Sequence, residues 1–248
     1  MSLLDLKVGV TMPAYNEEEG IVSYINDIYS IFNGNVKEIV FIVADDLSTD
    51  KTLIELRNGI NLGLPLKIVE TKINTGSGPT TIRAWKEALN HDLDVLVNTD
   101  GDGQYEPREL FEMVEELVQS KLSVVEGKRI NRNESILRRM GSLSTRFLVL
   151  FRAGKKPGDA NCPTRVYDMK VFPLLLSACP TEAITPNMRM AVNYRKLNLR
   201  YKSFNLVFLP RRSKTNVGTM WAGGRGRFSP SLRYLKFCYK AIKDWFFY

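Results

Sequence analysis

Two carboxylates separated by one glycine, Asp100 and Asp102, follow an apolar run that ends at Val97. A carboxamide, Gln104, stands two residues further on. Mg2+ and Mn2+ are hard cations that take oxygen ligands and keep positions open for water or substrate phosphates. Gly101 lets the backbone turn so that both acids can approach one ion, and Gln104 offers a third oxygen. A solvated Asp-Gly turn is the plain alternative, and the position at the exit of an apolar strand favours metal. A second pair, Asp45 and Asp46, closes another apolar run over residues 39–43. One of those carboxylates can accept hydrogen bonds from a base N–H or from ribose hydroxyls, with helix capping as the alternative. Asp50 reads as a helix-end residue.

Other chemistries find less support. Gly76-Ser77-Gly78 lacks the third glycine of a dinucleotide fingerprint, since Thr81 stands there. No Gly-Lys-Ser/Thr occurs, so a phosphate-binding P-loop is absent. The single histidine, His91, falls in a polar turn, which argues against Ser-His-Asp or Cys-His catalysis. Cys162, Cys179 and Cys238 are odd in number and far apart. They fit a reducing compartment and form no zinc pattern.

These acids need elements to position them. Apolar runs at residues 7–12, 38–43, 66–70, 93–98 and 123–126 read as strands. Helices are predicted between them: from Glu17, Glu18 and Glu19 through Phe32, up to Asn58, from Pro79 to Leu89, and from Pro107 to Gln119. The alternation predicts an α/β fold with a mostly parallel central sheet flanked by helices. Ligands in such sheets sit beyond the carboxyl ends of the strands. The polar turns after Met12, Val43 and Asn98 all lie at those ends and should face one crevice. Further on, residues 166–177 and 187–196 read as helices, 201–209 as a strand and 219–227 as a cationic loop. Residues 231–248 read as an amphipathic C-terminal helical extension, so the chain divides into a domain over 1–230 and a helix over 231–248. Leu232, Leu235, Tyr239, Ile242 and Phe246 form one stripe of that helix, and Arg233, Lys236, Lys240 and Lys243 form an adjoining one. Such a helix can lie in a membrane interface or pack on protein.

The chain has 248 residues, is 44% apolar and carries a net charge of +8. From Asn205 onward there are nine Lys/Arg against Asp244 alone, which accounts for the whole excess and leaves the rest neutral. A basic last quarter points to an anionic partner such as phosphate, anionic lipid or nucleic acid. No apolar run approaches the ~18 residues of a transmembrane helix, and the N-terminus lacks a signal-peptide layout.

The order of motifs resembles the family 2 glycosyltransferases, within them the dolichyl-phosphate mannose synthase and polyprenyl-phosphate glycosyltransferase branch. The resemblance rests on Pro13-Ala14-Tyr15-Asn16-Glu17, Asp45-Asp46-Leu47-Ser48-Thr49-Asp50, Asn74-x-Gly76-x-Gly78 and Asp100-x-Asp102-x-Gln104-x-x-Pro107. Arg129 and Asp159-x-x-Cys162-x-x-Arg165 match later positions. It implies a GT-A fold and inverting transfer from a GDP- or UDP-sugar. It implies that Pro13, Tyr15, Glu17, Asp45 and Asp46 hold the nucleoside, and that Asp100, Asp102 and Gln104 hold Mg2+ or Mn2+ on the diphosphate. Asp100, Asp102 and Arg129 are then the catalytic residues, Arg129 approaching phosphates or acceptor, while Arg211, Arg212 and Lys214 grip anionic groups. Leu47 and Pro163 stand where the family usually has glycine, Ser77 stands where a basic residue is common, and the branch's Gly-x-Ser-Lys is missing near Lys214.

The implied reaction moves a hexose from a nucleotide-sugar to a polyprenyl phosphate, the enzyme being cytoplasmic and peripheral on the inner membrane face through its basic helix. A glycan hydroxyl is the alternative acceptor. The segment 183–188 carries no acid to serve as base for a hydroxyl, whereas a phosphate monoester is already anionic near neutral pH. Nucleic-acid binding by the basic tail is an alternative of another class and is not expected. A nucleotidyltransferase would carry a glycine-rich loop with Arg and Lys after the first strand, and Met12-Pro13-Ala14-Tyr15-Asn16 has neither.

Overall fold

Strands buried on both faces need apolar residues on both. The computed structural model describes residues 2–131, 136–213 and 232–247. β1 (Lys7–Ala14), β2 (Glu38–Asp45), β3 (Leu66–Glu70), β4 (Val95–Asn98), β5 (Val124–Ile130), β6 (Arg165–Asp168) and β7 (Tyr201–Val207) form one sheet in the order β3-β2-β1-β4-β6-β5-β7. All pairings are parallel except those of β6, which runs antiparallel to both β4 and β5. The expected mostly parallel α/β sheet is therefore what the chain forms.

Helices cover both faces. α1 (Ile21–Phe32) and α4 (Pro107–Gln119) pack over Val8, Val10 and Met12 of β1, with Phe32 edge-on to Phe111 at 5.1 Å. α2 (Thr52–Asn61) adds Leu56 to the same layer. α3 (Ser77–Ala88), α6 (Phe172–Ser177) and α7 (Pro186–Lys196) cover the opposite face, where Trp85, Tyr167 and Phe172 pack edge to face or tilted against one another. α5 (Ile136–Ala153) and α8 (Leu232–Phe247) lie on this second side, contributing Val149 and Trp245 to its core.

Two expectations change. Residues 166–177 form a strand followed by a short helix, because Val166 and Tyr167 are drawn into opposite core layers between β4 and β5. A strand covered on both faces shows no polar alternation, so it reads like a helix. α1 begins at Ile21 rather than Glu17. Asn16 takes φ 56 and the Glu17 N–H donates to Thr52 Oγ1 at 2.8 Å, which holds the acidic run in a turn. The C-terminal helix is anchored to the domain at its far end. Trp245 is buried between the guanidinium groups of Arg152 and Arg189, 4.9 and 5.2 Å from its ring centre. The Asp244 carboxylate accepts from Ile184 N at 3.3 Å and pairs with Arg189. Tyr239, Lys236, Lys240 and Lys243 face solvent. Side chains of the stripe residues Leu232, Leu235, Ile242 and Phe246, and of Arg233, lie outside the described set, as does the loop 219–227.

One buried ion pair was not anticipated. Glu126 on β5 meets Arg195 of α7 at 2.8 Å, both side chains fully enclosed. Its carboxylate also accepts from Ser203 Oγ at 2.7 Å, from Gly158 N at 3.1 Å and from the Tyr194 hydroxyl. Burial works to raise the Glu126 carboxyl, and the charge of Arg195 with these donors outweighs it, leaving the group below the ordinary glutamate range. Glu126 ionised thus stabilises the fold above pH ~4, and this contribution is lost as pH falls through its lowered pKa. Glu126→Gln strands the Arg195 charge and should cost about 3–5 kcal/mol at neutral pH. Urea unfolding should show that deficit at pH 7 and a smaller one at pH 3.

Candidate active site

The carboxyl ends of β1, β2 and β4 lie side by side, with Ala14 in register with Asp45 and Thr11 with Asn98. The turns carrying Pro13, Tyr15 and Glu17, Asp45 and Asp46, and Asp100 and Asp102 therefore open on one edge. Asn98 fixes the last of these. Its Oδ1 accepts from Trp85 Nε1 at 2.7 Å and from Thr11 Oγ1 at 3.1 Å, and its Nδ2 donates to the Pro163 carbonyl at 2.7 Å. Thr99 then meets Thr164, hydroxyl to hydroxyl, at 3.2 Å. Gly101 passes beneath Pro13, where a Cβ would stand 3.2 Å from the Pro13 carbonyl oxygen.

The loop from 101 to 104 is braced by the segment after β7. Gln104 Nε2 donates to the Leu209 carbonyl at 2.9 Å, Leu209 N donates to the Gln104 carbonyl at 3.0 Å, and Arg212 N donates to the Asp102 carbonyl at 3.1 Å. Gly103 takes φ 70, and the Arg212 stem lies where its Cβ would be. This brace carries Arg211 into the crevice, where its guanidinium pairs with Glu17 and approaches Asp102 Oδ2 at 3.9 Å. Arg212, expected beside it, turns away: it pairs with Asp27 at 2.6 Å and lies over the Tyr24 ring. The Gln104 side chain serves first as a tie to Leu209. Lys214 lies outside the described residues.

Arg129, on β5, forms a two-pronged pair with Asp159, at 2.7 and 3.0 Å. Gly158, one residue before, is the backbone that Glu126 holds. The sequence reading missed this support, since a single acid at the end of an apolar strand gives no sign of burial.

Asp45 and Asp46 are buried and well supplied with donors. Asp45 accepts from Ser48 N at 2.9 Å and from the Ser48 hydroxyl. Asp46 accepts from Gly76 N at 2.7 Å and Thr75 N at 2.9 Å. It thereby holds the start of α3, where Gly76 takes φ 89 and a Cβ on Gly78 would strike the Ala183 and Ile184 carbonyls at 2.5 Å. Leu47 adopts φ 62, a left-handed conformation that suits the glycine of the family pattern better than leucine. Both acids hold turns, and each keeps lone pairs for further donors.

Asp100, Asp102 and Glu17 are treated differently. Burial and the neighbouring Asp102 push Asp100 up to about 7, against the pull of Arg129 and Arg211. Burial likewise raises Asp102, and pushes Glu17 up to about 7 despite Arg211. Acids pressed together with too little positive charge form a site that favours a cation. The donors are all oxygen, which suits Mg2+ or Mn2+. Among the described residues no group of three or more His, Cys, Asp or Glu could hold a metal ion by itself. Two carboxylates suffice for an ion whose remaining positions are filled by phosphate and water.

Solved structures with the same arrangement define a GT-A fold. Glucosyl-3-phosphoglycerate synthase from Mycobacterium tuberculosis, solved with Mn2+, UDP-glucose and phosphoglyceric acid, superposes with a TM-score of 0.64 at 17% identity, over 97% of this chain and 80% of that one. Residues 10–174 match Glycosyl transferase family 2, and the chain belongs to that family. Among curated relatives it is 29% identical to dodecaprenyl-phosphate galacturonate synthase of Rhizobium johnstonii over 67% of this chain. It spans 49% of that protein, about half its length. It is 25% identical to UDP-N-acetylglucosamine--dolichyl-phosphate N-acetylglucosaminyltransferase of Methanococcus voltae, over 70% of this chain and 74% of that one.

A raised Asp100 destabilises the cation-free protein progressively as pH climbs from its ordinary 3.8 towards 7. Asp100→Asn should therefore raise the thermal midpoint in chelator at pH 8, with the gain shrinking near pH 4. Mn2+ should raise the midpoint of the parent protein and leave the variant's unchanged.

Proposed function

We propose that the chain transfers a hexose, with inversion, from a nucleotide-sugar to a polyprenyl phosphate in a reaction that needs Mg2+ or Mn2+. The observation that carries this reading is the under-compensated pair of half-buried Asp100 and buried Asp102, with Arg211 beside Asp102, at the carboxyl edge of the sheet. Two relatives whose names specify polyprenyl or dolichyl phosphates support the acceptor.

In this reading Asp100 and Asp102, with the Gln104 carboxamide oxygen, would hold the metal. A divalent ion there neutralises charge on the departing diphosphate. Pro13 and Tyr15 flank the nucleoside, whose polar groups meet the spare lone pairs of Asp45 and Asp46. Glu17 keeps Arg211 aimed at the phosphates. Arg129 draws the acceptor phosphate towards the anomeric carbon. A phosphate oxygen forms the new bond as the bond to the diphosphate oxygen breaks, and no proton needs to move, because the phosphate is already ionised above its second pKa of ~6. The acids near the acceptor side fit that economy. Both Asp159 oxygens accept from Arg129, and Glu182 is exposed. The acceptor lipid calls for a peripheral position at the inner membrane face, with the solvent-facing lysines of α8 towards anionic headgroups. No helix among the described residues is long and apolar enough to cross a membrane.

The test is a panel of GDP- and UDP-sugars with Mn2+, with and without polyprenyl phosphate. Turnover of one donor is expected only with the lipid phosphate, and Asp102→Asn should lower it about a hundredfold or more. Arg129→Ala should raise KM for the acceptor more than for the donor. Absence of binding and turnover with every donor sinks the enzyme reading, and turnover indifferent to lipid phosphate moves the acceptor to a sugar hydroxyl.

A further inference from the structure

α5 is apolar on two sides, more than one protein face can bury. Val149 is enclosed in the core, and Leu148 and Ala153 pack against it. On the outer side Leu143, Phe147 and Phe151 repeat every four residues and are 52%, 67% and 89% exposed. Side chains four apart share a helix face, so these three make one stripe. Positive charge lies past the C-terminal end of the stripe. Lys155 and Lys156 are exposed one turn beyond Phe151, and Arg152 joins α5 to α8 by its contact with Trp245. On α8, Lys236, Lys240 and Lys243 are exposed beside Tyr239, which is 70% exposed.

We infer that the outer face of α5, with the lysines at its end and on α8, is where this protein rests on a lipid surface bearing anionic headgroups. Aromatic residues on one face and lysines around it are what an interfacial helix requires. The chain order adds a reason. α5 is the segment between Arg129 on β5 and Asp159 before β6, so its two ends lead to the two members of that ion pair. A bilayer under α5 then touches the stretch of chain that joins Arg129 to Asp159. The meaning given to that location rests on the transferase reading above; the lipid contact itself does not. The bilayer element is then α5, while α8 supplies cations and uses Trp245 to hold the domain.

The test is flotation of the full chain with phosphatidylcholine vesicles containing or lacking phosphatidylglycerol. Phe147→Ser with Phe151→Ser changes two exposed side chains and should leave circular dichroism unchanged. The parent protein should float with the phosphatidylglycerol vesicles, at low salt more than at high salt. The double variant should partition at least about tenfold less. With a short-chain, water-soluble polyprenyl phosphate, parent and variant should turn over donor equally. No flotation of the parent, or equal flotation of both, overturns the lipid contact. So does a parent that sediments as a dimer while the variant is a monomer, since a second copy then covers the stripe. Lack of turnover with every acceptor while flotation behaves as stated removes the transferase reading and leaves the lipid contact standing.

Discussion

Two carboxylates held close together away from water repel each other and resist ionisation, and much of this chain keeps Asp100 and Asp102 in that condition. Asn98 ties the end of β4 to α3, β1 and the carbonyl of Pro163. The segment after β7 braces the loop from the other side through Leu209 and Arg212. Left free, the two acids would separate into solvent. The fold instead holds Asp100 half-buried and Asp102 buried, with Arg211 and Arg129 as partial compensation, which is the stored imbalance that ligand binding can relieve.

The fate of each buried acid follows from what surrounds it. Asp45 and Asp46 are met by backbone N–H groups and hydroxyls, so their charge is accommodated and they organise turns. Glu126 meets an arginine and is driven to ionise. Asp159 is matched prong for prong by Arg129. Asp100, Asp102 and Glu17 share too little positive charge and are pushed towards neutrality. Environment, more than residue type, separates structural carboxylates from those available to a ligand.

What the sequence disclosed tracks how local each signal is. Residues 38–43 are a nearly continuous apolar run closed by Asp45 and Asp46, and Asp100 follows the run ending at Val97, so the crevice at the strand ends could be read without a structure. The pairing of Glu126 with Arg195, 69 positions apart, has no local mark. Nor does the union of Glu17 with Arg211, 194 positions apart. β6 resembled a helix because both of its faces are covered, and the acidic run at Glu17 looked like a helix start until Asn16 bent the chain. Arg211 and Arg212 are indistinguishable in sequence. Only the backbone bond from Arg212 to Asp102 shows that one faces the crevice and its neighbour faces α1.

β6 lies between β4 and β5, and it is entered from the loop that carries Asp159. That loop is stitched to the exit of β4 at two points, Asn98 to the Pro163 carbonyl and Thr99 to Thr164. The two halves of the crevice therefore share one hinge of hydrogen bonds, and neither can shift without loading the other. Coupling of this kind is reciprocal. Whatever factor an occupant of the Asp100 side imposes on affinity at the Arg129 side, an occupant of the Arg129 side returns to the first, so the order in which two ligands arrive leaves the stability of the ternary complex unchanged.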